Sequence, residues 1–367
     1  MKTFSALGVS DAVARALSQR GITSPFPVQE RVLPDALAGR DILVRSPTGS
    51  GKSLAFGIPL AELLEANTNR RPAALVLVPT RELAGQIVEE VRQVAHARAL
   101  KITAVYGGAG IAKQAGLAKK AHILVATPGR LEDLLRRGDI TLQHVRMLVL
   151  DEADRMLDMG FQPVVERIVK QTRGDRQTLM FSATLDANVE RLAKKFTRDA
   201  RRHEQLDQVA KRGDVQHRFL HVDHTGKVDA LVRELRDAER TLVFVRTKRG
   251  ADRLVKRLKT QGVPAVAMHG DKTQGQRERA LASFTEGRAP TLIATDVAAR
   301  GLDVDGITHV INFDAPGARE DYVHRVGRTG RAGADGVGIT FVIPEQQREM
   351  QRMARDLDLA QEWAGSR

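Results

Sequence analysis

Short apolar runs alternate with segments of helical periodicity along most of the chain. In the first half these runs are residues 42–44, 74–78, 123–125, 147–150 and 178–181. In the second half they are residues 241–245, 265–268, 291–294, 309–313 and 338–342. Such runs are typical of strands buried on both faces, and strands that alternate with helices form parallel sheets covered on both sides. The pattern predicts two α/β domains.

Residues 197–214 lie between the two sets of runs and are polar and charge-rich. We predict no strand in this stretch and place a linker in its latter part, residues 204–214. The first domain then covers residues 1–203 and the second covers residues 215–367. A chain of 367 residues is also long for a single hydrophobic core, which independently favours two domains.

A glycine-rich loop follows the first apolar run and precedes a helical segment. Residues 46–53 have the sequence SPTGSGKS. Glycines 49 and 51 let backbone amides wrap a phosphate, Lys52 can reach the outer phosphates of a nucleotide, and the Ser53 hydroxyl can ligate Mg²⁺. The strict phosphate-loop pattern has glycine where this chain has Ser46, and the alternative is a glycine-rich turn with a surface lysine. We assign nucleotide binding to Thr48, Gly49, Ser50, Gly51, Lys52 and Ser53.

Three carboxylates, Asp151, Glu152 and Asp154, follow the apolar run 147–150 without an intervening turn. Acidic residues there could simply cap the next helix. The phosphate loop favours a second interpretation, in which ATP with Mg²⁺ occupies that loop. Asp151 then supplies the acidic ligand of the metal, and Glu152 orients or deprotonates the attacking water.

The charge and aromatic content indicate a polyanionic partner. The formal net charge is +13 and the isoelectric point is near 10.3, which favours nucleic acid over a neutral metabolite, although an inert basic surface has the same charge. One tryptophan and two tyrosines are few for a protein that stacks bases on aromatic rings. We therefore expect contacts to phosphates and sugars, with weak sequence preference.

The sequence contains no cysteine, which excludes disulfides, thiolate chemistry and Cys-ligated zinc. No apolar run approaches the roughly 18 to 20 residues that span a membrane, and the first residues do not form a signal peptide. We expect no membrane contact and a cytoplasmic location.

In order and spacing, these segments resemble the DEAD-box family of RNA helicases, whose name is spelled by residues 151–154. The resemblance extends from about residue 4 to residue 342. It implies two RecA-like parallel-sheet domains in tandem, joined by a flexible linker, with ATP and RNA bound across the cleft. It also implies Mg²⁺-dependent ATP hydrolysis that RNA stimulates and that drives local duplex unwinding or remodelling of RNA–protein complexes.

The resemblance assigns further roles in the first domain. Gln29 matches the adenine reader and Phe4 the upstream aromatic residue, whereas Ile22 and Phe26 depart from the family's usual aromatic residue and threonine. Residues Ser182, Ala183 and Thr184 match the motif that couples hydrolysis to strand separation. Each such segment taken alone could be a turn or a helix cap. The matches to RNA-backbone contacts are Pro79, Thr80, Arg81, Gly107, Gly108, Thr127, Pro128, Gly129 and Arg130.

The second domain has no lysine-bearing phosphate loop, so we expect it to bind no ATP of its own. By resemblance, Gln274, Arg277 and Thr295 lie in segments that grip RNA or support that grip. Gly301 and Asp303 face the nucleotide, and Arg328 and Arg331 reach the transferred phosphate. A solvated basic turn is the alternative for the last segment, but two arginines three residues apart between glycines can both point at one anion.

Two rival functions remain open at this point. One is a DNA-directed helicase of the same superfamily, which stimulation of the ATPase by matched RNA and DNA strands would distinguish. The other is an ATP-gated RNA clamp or annealing protein. Lys52, Glu152, Arg328 and Arg331 argue against the second, because a clamp needs no residue to position water.

Overall fold

The computed structural model describes residues 3–47, 50–66, 72–204, 214–236, 238–299, 304, 306–330 and 334–365. The chain divides into two compact units, Met1–Asp207 and Gln208–Arg367. Some predicted positions lie outside the described residues, namely residues 205–213 of the linker together with Thr48, Gly49, Gly301, Asp303 and Arg331.

In the first unit the described residues form a seven-stranded parallel sheet. Its strands are β1 Ile42–Arg45, β2 Ala74–Leu77, β3 Ile102–Val105, β4 Ile123–Ala126, β5 Met147–Leu150, β6 Gln177–Ser182 and β7 Arg201–Glu204. Across the sheet they lie in the order β3-β4-β2-β5-β6-β1-β7. After a short 3-10 helix, Ser5–Leu7, the helices of this unit are α1 Asp11–Ser18, α2 Pro27–Leu37, α3 Lys52–Leu63, α4 Arg81–Ala97, α5 Ile111–Ala118, α6 Pro128–Arg136, α7 Ala153–Asp158, α8 Gln162–Val169 and α9 Ala187–Phe196.

Helices cover both faces of this sheet. Alternate residues of each central strand point to opposite sides, so each strand contributes to two hydrophobic cores. In β2, Ala74 and Val76 belong to one hydrophobic core, whereas Leu75 and Leu77 belong to the other. All four side chains are fully buried. Burial on both faces explains why the strand sequence is continuously apolar rather than alternating.

The second unit has a six-stranded parallel sheet among its described residues. The strands are β8 Val215–His221, β9 Thr241–Phe244, β10 Ala265–Met268, β11 Thr291–Ala294, β12 His309–Asn312 and β13 Gly336–Val342. Their order across the sheet is β10-β11-β9-β12-β13-β8. The helices are α10 Lys227–Arg236, α11 Lys248–Thr260, α12 Gln274–Thr285, α13 Asp296–Ala299, α14 Arg319–Val326, α15 Gln347–Asp356 and α16 Ala360–Ala364, with a 3-10 helix at Pro344–Gln346.

The two predicted parallel-sheet domains are confirmed, and every predicted strand is present. One prediction is wrong: residues 197–214 contain a strand, β7 Arg201–Glu204, which pairs with β1. Glu204 therefore lies in the first sheet and not in the linker. The strand was missed because β7 is an edge strand whose side chains are exposed or half-buried, so it has no apolar run. None of the helices within the described ranges is long and apolar enough to cross a membrane.

Candidate active site

The predicted site residues of the first unit lie at the carboxyl ends of its parallel strands, the edge where ligands bind in such sheets. Neighbouring strands β5, β6 and β1 end at the acidic residues, the Ser182 segment and the phosphate loop. Neighbouring strands β2, β4 and β3 end at the three segments predicted to contact RNA. The two predicted functions thus occupy adjacent halves of one edge.

Lys52 begins α3 and is almost completely buried, with 7% of its surface exposed. Its ammonium group donates hydrogen bonds to the carbonyl oxygens of Ser46, at 3.0 Å, and Pro47, at 2.9 Å. Gly51, immediately before it, has a φ of +87°, a conformation that glycine adopts without strain. The lysine is therefore held at the helix N-terminus by neutral carbonyls, which a phosphate can replace with a stronger, fully ionic partner.

Gln29 connects the predicted adenine-reading segment to the phosphate loop. Its buried side chain accepts a hydrogen bond from the Phe26 amide at 2.9 Å and donates one to the Gly51 carbonyl at 2.9 Å. A Cβ atom on Gly51 would lie 2.8 Å from the Gln29 amide nitrogen and 2.9 Å from the Phe26 ring. Phe26 itself is 51% exposed, whereas Phe4 packs into the hydrophobic core. The structure thus gives the positions of Gln29 and Phe4, and their roles in nucleotide binding stay predictions.

Asp151 and Glu152 are buried at the end of β5. Burial raises the pKa of the Asp151 carboxyl to about 7, against the opposing effect of the Lys52 cation. Glu152 has a left-handed backbone conformation, with φ of 51° and ψ of 52°, which is strained for a residue other than glycine and often found at functional sites. Its carboxylate accepts a 2.5 Å hydrogen bond from the guanidinium of Arg155, which is also buried.

Asp154, the third carboxylate, connects the end of β5 to the end of β6. One of its oxygens, Oδ2, accepts hydrogen bonds from the backbone amides of Ala183 and Thr184, both at 3.1 Å, and from the Thr184 hydroxyl at 3.3 Å. In return, the Asp154 amide donates to the Ser182 hydroxyl at 3.3 Å. Glu152 occupies the N-cap position of α7 without a side-chain capping bond. The arrangement therefore favours a link between two motifs over simple helix capping.

The predicted RNA-contact segments of the first unit pack around the loop that follows β3. The Arg81 guanidinium lies so close to Gly108 that a Cβ atom there would overlap it. Arg130 donates to the Ala109 carbonyl at 3.0 Å and to the Gln114 side chain at 2.7 Å. The structure thus brings two arginines from separate segments to one glycine-rich loop, as a surface that contacts phosphates requires.

The remaining residues of these segments form helix starts. The Thr80 hydroxyl accepts a hydrogen bond from the Leu83 amide and caps α4. Thr127 occupies the N-cap position of α6, and Pro128 is its first residue. Helix N-termini attract anions through their free amides and dipole, so capping and RNA contact are compatible roles for these positions.

In the second unit, Arg325 organises the segment that precedes the predicted phosphate-sensing arginines. It is 4% exposed and forms two hydrogen bonds with the carboxylate of Asp296, at 2.5 and 2.7 Å. It also donates to the Asn312 side chain at 3.1 Å and to the Asp314 carbonyl at 2.8 Å. A single buried guanidinium thereby joins α14 to α13 and to the end of β12.

The other predicted residues of the second unit fall on three elements. Gln274 is the first residue of α12, and its side chain donates to Glu278 at 3.1 Å. Arg277 is buried on the same helix, and Thr295 directly follows β11. Arg328 follows α14, is 6% exposed, and donates to the His324 carbonyl at 3.3 Å. The structure describes their positions, and their roles stay predictions.

Sequence reasoning missed two buried arginines, Arg155 and Arg325. Arg155 directly follows Asp154, and Arg325 is the first of three arginines spaced three residues apart, the others being Arg328 and Arg331. A buried arginine needs acceptors, and here the acceptors are Glu152 and Asp296. The pairing of Arg155 is local, three residues along one helix, and was open to prediction, whereas Asp296 is 29 residues from Arg325.

Comparison with known proteins identifies the family. Residues 26–192 match the family model described as DEAD/DEAH box helicase, and residues 226–333 match the model described as Helicase conserved C-terminal domain. DEAD-box ATP-dependent RNA helicase 30 of Arabidopsis thaliana is 42% identical over 98% of this chain and 62% of its own length. DEAD-box ATP-dependent RNA helicase CshA of Geobacillus kaustophilus is 41% identical over 97% of this chain and 76% of its own length. The chain thus spans less than two thirds of the first relative and about three quarters of the second.

Solved structures show the same architecture. S. cerevisiae Dbp5 bound to RNA and ADP BeF3 is 30% identical, with a TM-score of 0.83 over 98% of this chain and 94% of that one. A DEAD box protein from the hyperthermophile Methanococcus jannaschii is 37% identical, with a TM-score of 0.54 over 97% of both chains. The two parallel-sheet units are therefore RecA-like domains, and the chain belongs to the DEAD-box family of ATP-dependent RNA helicases.

Proposed function

We propose that this chain hydrolyses ATP in response to RNA and uses the hydrolysis to separate short RNA duplexes or to remodel RNA–protein complexes. The observation that carries the proposal is the carboxyl edge of the first sheet. There the phosphate-loop lysine, the acidic residues and the Ser182 segment lie at the ends of three adjacent strands, next to the glycine-rich loop contacted by Arg81 and Arg130. Nucleotide chemistry and RNA contact thus share one edge.

Nucleotide binding begins with Lys52. Its ammonium exchanges the Ser46 and Pro47 carbonyls for phosphate oxygens, and the N-terminus of α3 adds its positive end. Gln29 is attached to the Gly51 carbonyl, so occupation of the base-reading segment and of the loop are mechanically connected. Both contacts act on bound nucleotide before any bond breaks, so removing either one weakens affinity.

Asp151 and Ser53 are the residues that would hold Mg²⁺. No group of three or more His, Asp or Glu side chains able to hold a metal occurs in the described part of the chain. That fits Mg²⁺, which takes one or two protein oxygens and completes its shell with phosphates and waters. The Asp151 carboxyl is buried beside Lys52, and burial raises its pKa, so a cation at this position relieves an unfavourable charge. When bound, the ion neutralises charge on the phosphates.

Glu152 is the candidate for positioning and deprotonating the attacking water. Glu152 follows β5 in a left-handed backbone conformation, and the hydrogen bond from Arg155 holds one of its carboxylate oxygens. Removing the charge while keeping the shape should therefore remove the chemistry and leave binding intact. Asp154 passes any shift of this segment to residues 182–184 through four hydrogen bonds, which gives the proposed coupling a physical route.

RNA is proposed to be held by its backbone, with weak preference for sequence. The contact segments offer arginines, helix N-termini and glycine amides, which recognise phosphates and carry no base information. The net charge of +13 adds long-range attraction. An ATP-gated clamp or annealing protein is not favoured, because the family is one of ATP-dependent helicases.

The test compares Glu152→Gln with Lys52→Ala. We expect Glu152→Gln to bind ATP and RNA as the unchanged protein does but to hydrolyse ATP at least about 100-fold more slowly, since a positioned general base contributes roughly 10²–10⁴-fold. Lys52→Ala should lose nucleotide affinity itself. Nucleotide binding and RNA-stimulated ATPase are measured for both variants. Near-normal turnover in Glu152→Gln would remove Glu152 from its role.

A second measurement separates RNA from DNA and tests backbone reading. RNA and DNA single strands of matched sequence and length are compared as ATPase activators, because a site that reads the 2′-hydroxyl responds to RNA alone. RNA affinity should fall steeply with salt and vary little between sequences of equal length. Equal stimulation by DNA would favour a DNA-directed helicase instead.

A further inference from the structure

The first unit carries an arginine-lined groove on the sheet edge opposite the proposed nucleotide and RNA sites. The groove has a volume of about 580 Å³ and lies at the amino ends of β1, β5, β6 and β7. We call it the arginine groove, after the five arginines that line it: Arg40, Arg146, Arg176, Arg198 and Arg201. None of the motifs matched to the family contributes to it.

Two of the acidic residues in the groove are already occupied within the fold. Asp41 accepts hydrogen bonds from the backbone amides of Thr178, at 2.7 Å, and Arg198, at 2.6 Å. The Asp175 carboxylate accepts two hydrogen bonds from the Arg173 guanidinium, from Nε at 2.7 Å and from Nη2 at 2.5 Å. Asp199, the third acidic lining residue, is exposed. The five arginines outnumber these three carboxylates, so the lining residues carry a formal net charge of +2.

In the described ranges, the guanidinium groups of three of the five arginines have no carboxylate within 4.0 Å, namely those of Arg176, Arg198 and Arg201. Arg176 is half-buried and donates only to carbonyls, those of Arg173 and Phe196, and its buried Nε has no partner in the described chain. Burial lowers the pKa of this guanidinium, and the neighbouring Arg198 cation lowers it further, although the Asp41 carboxylate acts in the opposite direction. An anionic ligand would supply what these side chains lack.

We propose that the arginine groove binds the phosphodiester backbone of single-stranded RNA, as a second binding surface beyond the carboxyl edge. Guanidinium groups match phosphates in shape and charge, and all five cations of the groove are arginines rather than lysines. No lining residue is aromatic, which suits binding to the backbone without base stacking.

An acidic protein partner fits the groove less well, because protein interfaces depend on apolar anchors. Two of its three apolar lining residues, Leu64 and Met147, are 5% and 3% exposed, and only Leu63 presents apolar surface, at 39%. The groove is separated from the carboxyl edge by at least a four-residue strand, about 13 Å. Only an RNA longer than the stretch held at that edge can reach both.

The proposal rests on RNA being the substrate, and the experiment separates the two ideas. Arg146, Arg198 and Arg201 are exposed, so changing all three to Gln removes charge without disturbing the core. The matched control changes three other exposed arginines of the same unit, Arg92, Arg136 and Arg137, to Gln. Both variants comprise the full chain and have the same reduction in net charge.

Binding is measured against salt for two unstructured RNAs, one of about 8 nucleotides and one of about 40; for comparison, a single OB-fold domain covers roughly 4–16 nucleotides. We expect the groove variant to bind the long RNA several-fold more weakly than the control. Its salt slope should fall by about 2, at roughly 0.7 for each phosphate that the protein no longer neutralises. Binding of the short RNA, and its stimulation of the ATPase, should match the control.

Three outcomes would overturn the groove assignment. The first is a groove variant that binds the long RNA as the control does. The second is an equal loss of affinity for short and long RNA, which would indicate a general charge effect. The third is poly-glutamate binding that the groove variant loses while RNA binding persists, which would assign the groove to an acidic protein. Failure of the unchanged protein to respond to either RNA would instead contradict the proposed function.

Discussion

At the scale of single residues, the carboxyl edge of the first sheet concentrates features that are costly elsewhere in the protein. Glu152 combines a left-handed backbone conformation with a buried ion pair, and Asp151 is buried beside Lys52. Strain and desolvation of this kind persist only where the surrounding fold enforces them. The conformation of residues 151 and 152, between β5 and α7, is therefore imposed by the surrounding fold and not by the backbone preferences of these two residues.

The ion pair between Glu152 and Arg155 leads to a stability prediction. Both side chains are 8% exposed, so changing Arg155 to Met leaves a buried carboxylate without its cation, and we expect a loss of about 3–5 kcal/mol in the free energy of unfolding. Adding Glu152→Gln should recover part of that loss, because the orphaned charge is removed. Urea unfolding of the two single variants and the double variant measures this. Strictly additive losses would show that the pair is not coupled.

The positions of site residues were predictable from sequence where the residues lie within short local motifs. Lys52, Glu152 and the Ser182 segment follow strands within short motifs, and the structure brings them to one edge. Arg325 was not predictable, because its acceptor Asp296 is brought near by the sheet. A motif shows which residue types are present, whereas only the fold shows which of them are paired.

At the scale of elements, the strands that the sequence pattern failed to reveal share one property. β3, β7 and β8 are edge strands, and their residues are mostly half-buried or exposed. An interior strand needs apolar side chains on both faces, but an edge strand does not, so it carries no continuous apolar run. β10 is also an edge strand and was predicted, because its four residues, AVAM, are all apolar.

Arg325 provides a prediction at the level of connected elements. Lysine cannot reproduce its fork, so Arg325→Lys should keep one of the hydrogen bonds to Asp296, Asn312 and Asp314 and lose the others. We expect the free energy of unfolding to fall by roughly 2–4 kcal/mol, since unmatched buried acceptors each cost about 1–3 kcal/mol. Chemical unfolding measures this effect, with exposed Arg319→Lys on the same helix as the control. Equal stability of the two variants would contradict the role of Arg325 in joining these elements.

At the scale of the whole molecule, the two units have similar architecture but different chemistry. Each has a parallel sheet with separate hydrophobic cores on its faces, yet only the first has a lysine-bearing phosphate loop. The sequence of the second contains Arg328 and Arg331, which the family resemblance assigns to the transferred phosphate. Domain count, sheet type and the phosphate loop were predictable because they depend on periodicity and short motifs. The exact start of the linker was not, because β7 has no sequence signal.

This division of chemistry predicts that ATP turnover requires both units. Arg328→Ala and Arg331→Ala should bind ATP nearly normally and lose most RNA-stimulated turnover, since an arginine supplied to a phosphoryl-transfer site is worth roughly 10³–10⁵-fold. A fragment comprising Met1–Asp207, which retains β7, should bind nucleotide weakly and show no response to RNA. Nucleotide affinity and RNA-stimulated ATPase are measured against the full chain. Full-rate turnover by the fragment would refute the requirement.

The packing of Gly51 against Phe26 and Gln29 limits how segments can be exchanged between family members. Position 51 must be glycine both for its φ of +87° and because a Cβ would meet the Phe26 ring and the Gln29 amide. The adenine-reading segment and the phosphate loop, whose residues Gln29 and Gly51 are 22 positions apart, therefore have to be exchanged together. In a chimera, a phosphate loop taken from a relative with threonine in place of Phe26 would lack the residue at position 26 against which it packs in its own parent. Protein engineers who recombine such helicases should place the crossover before Phe26 or after α3, so that both motifs come from one parent.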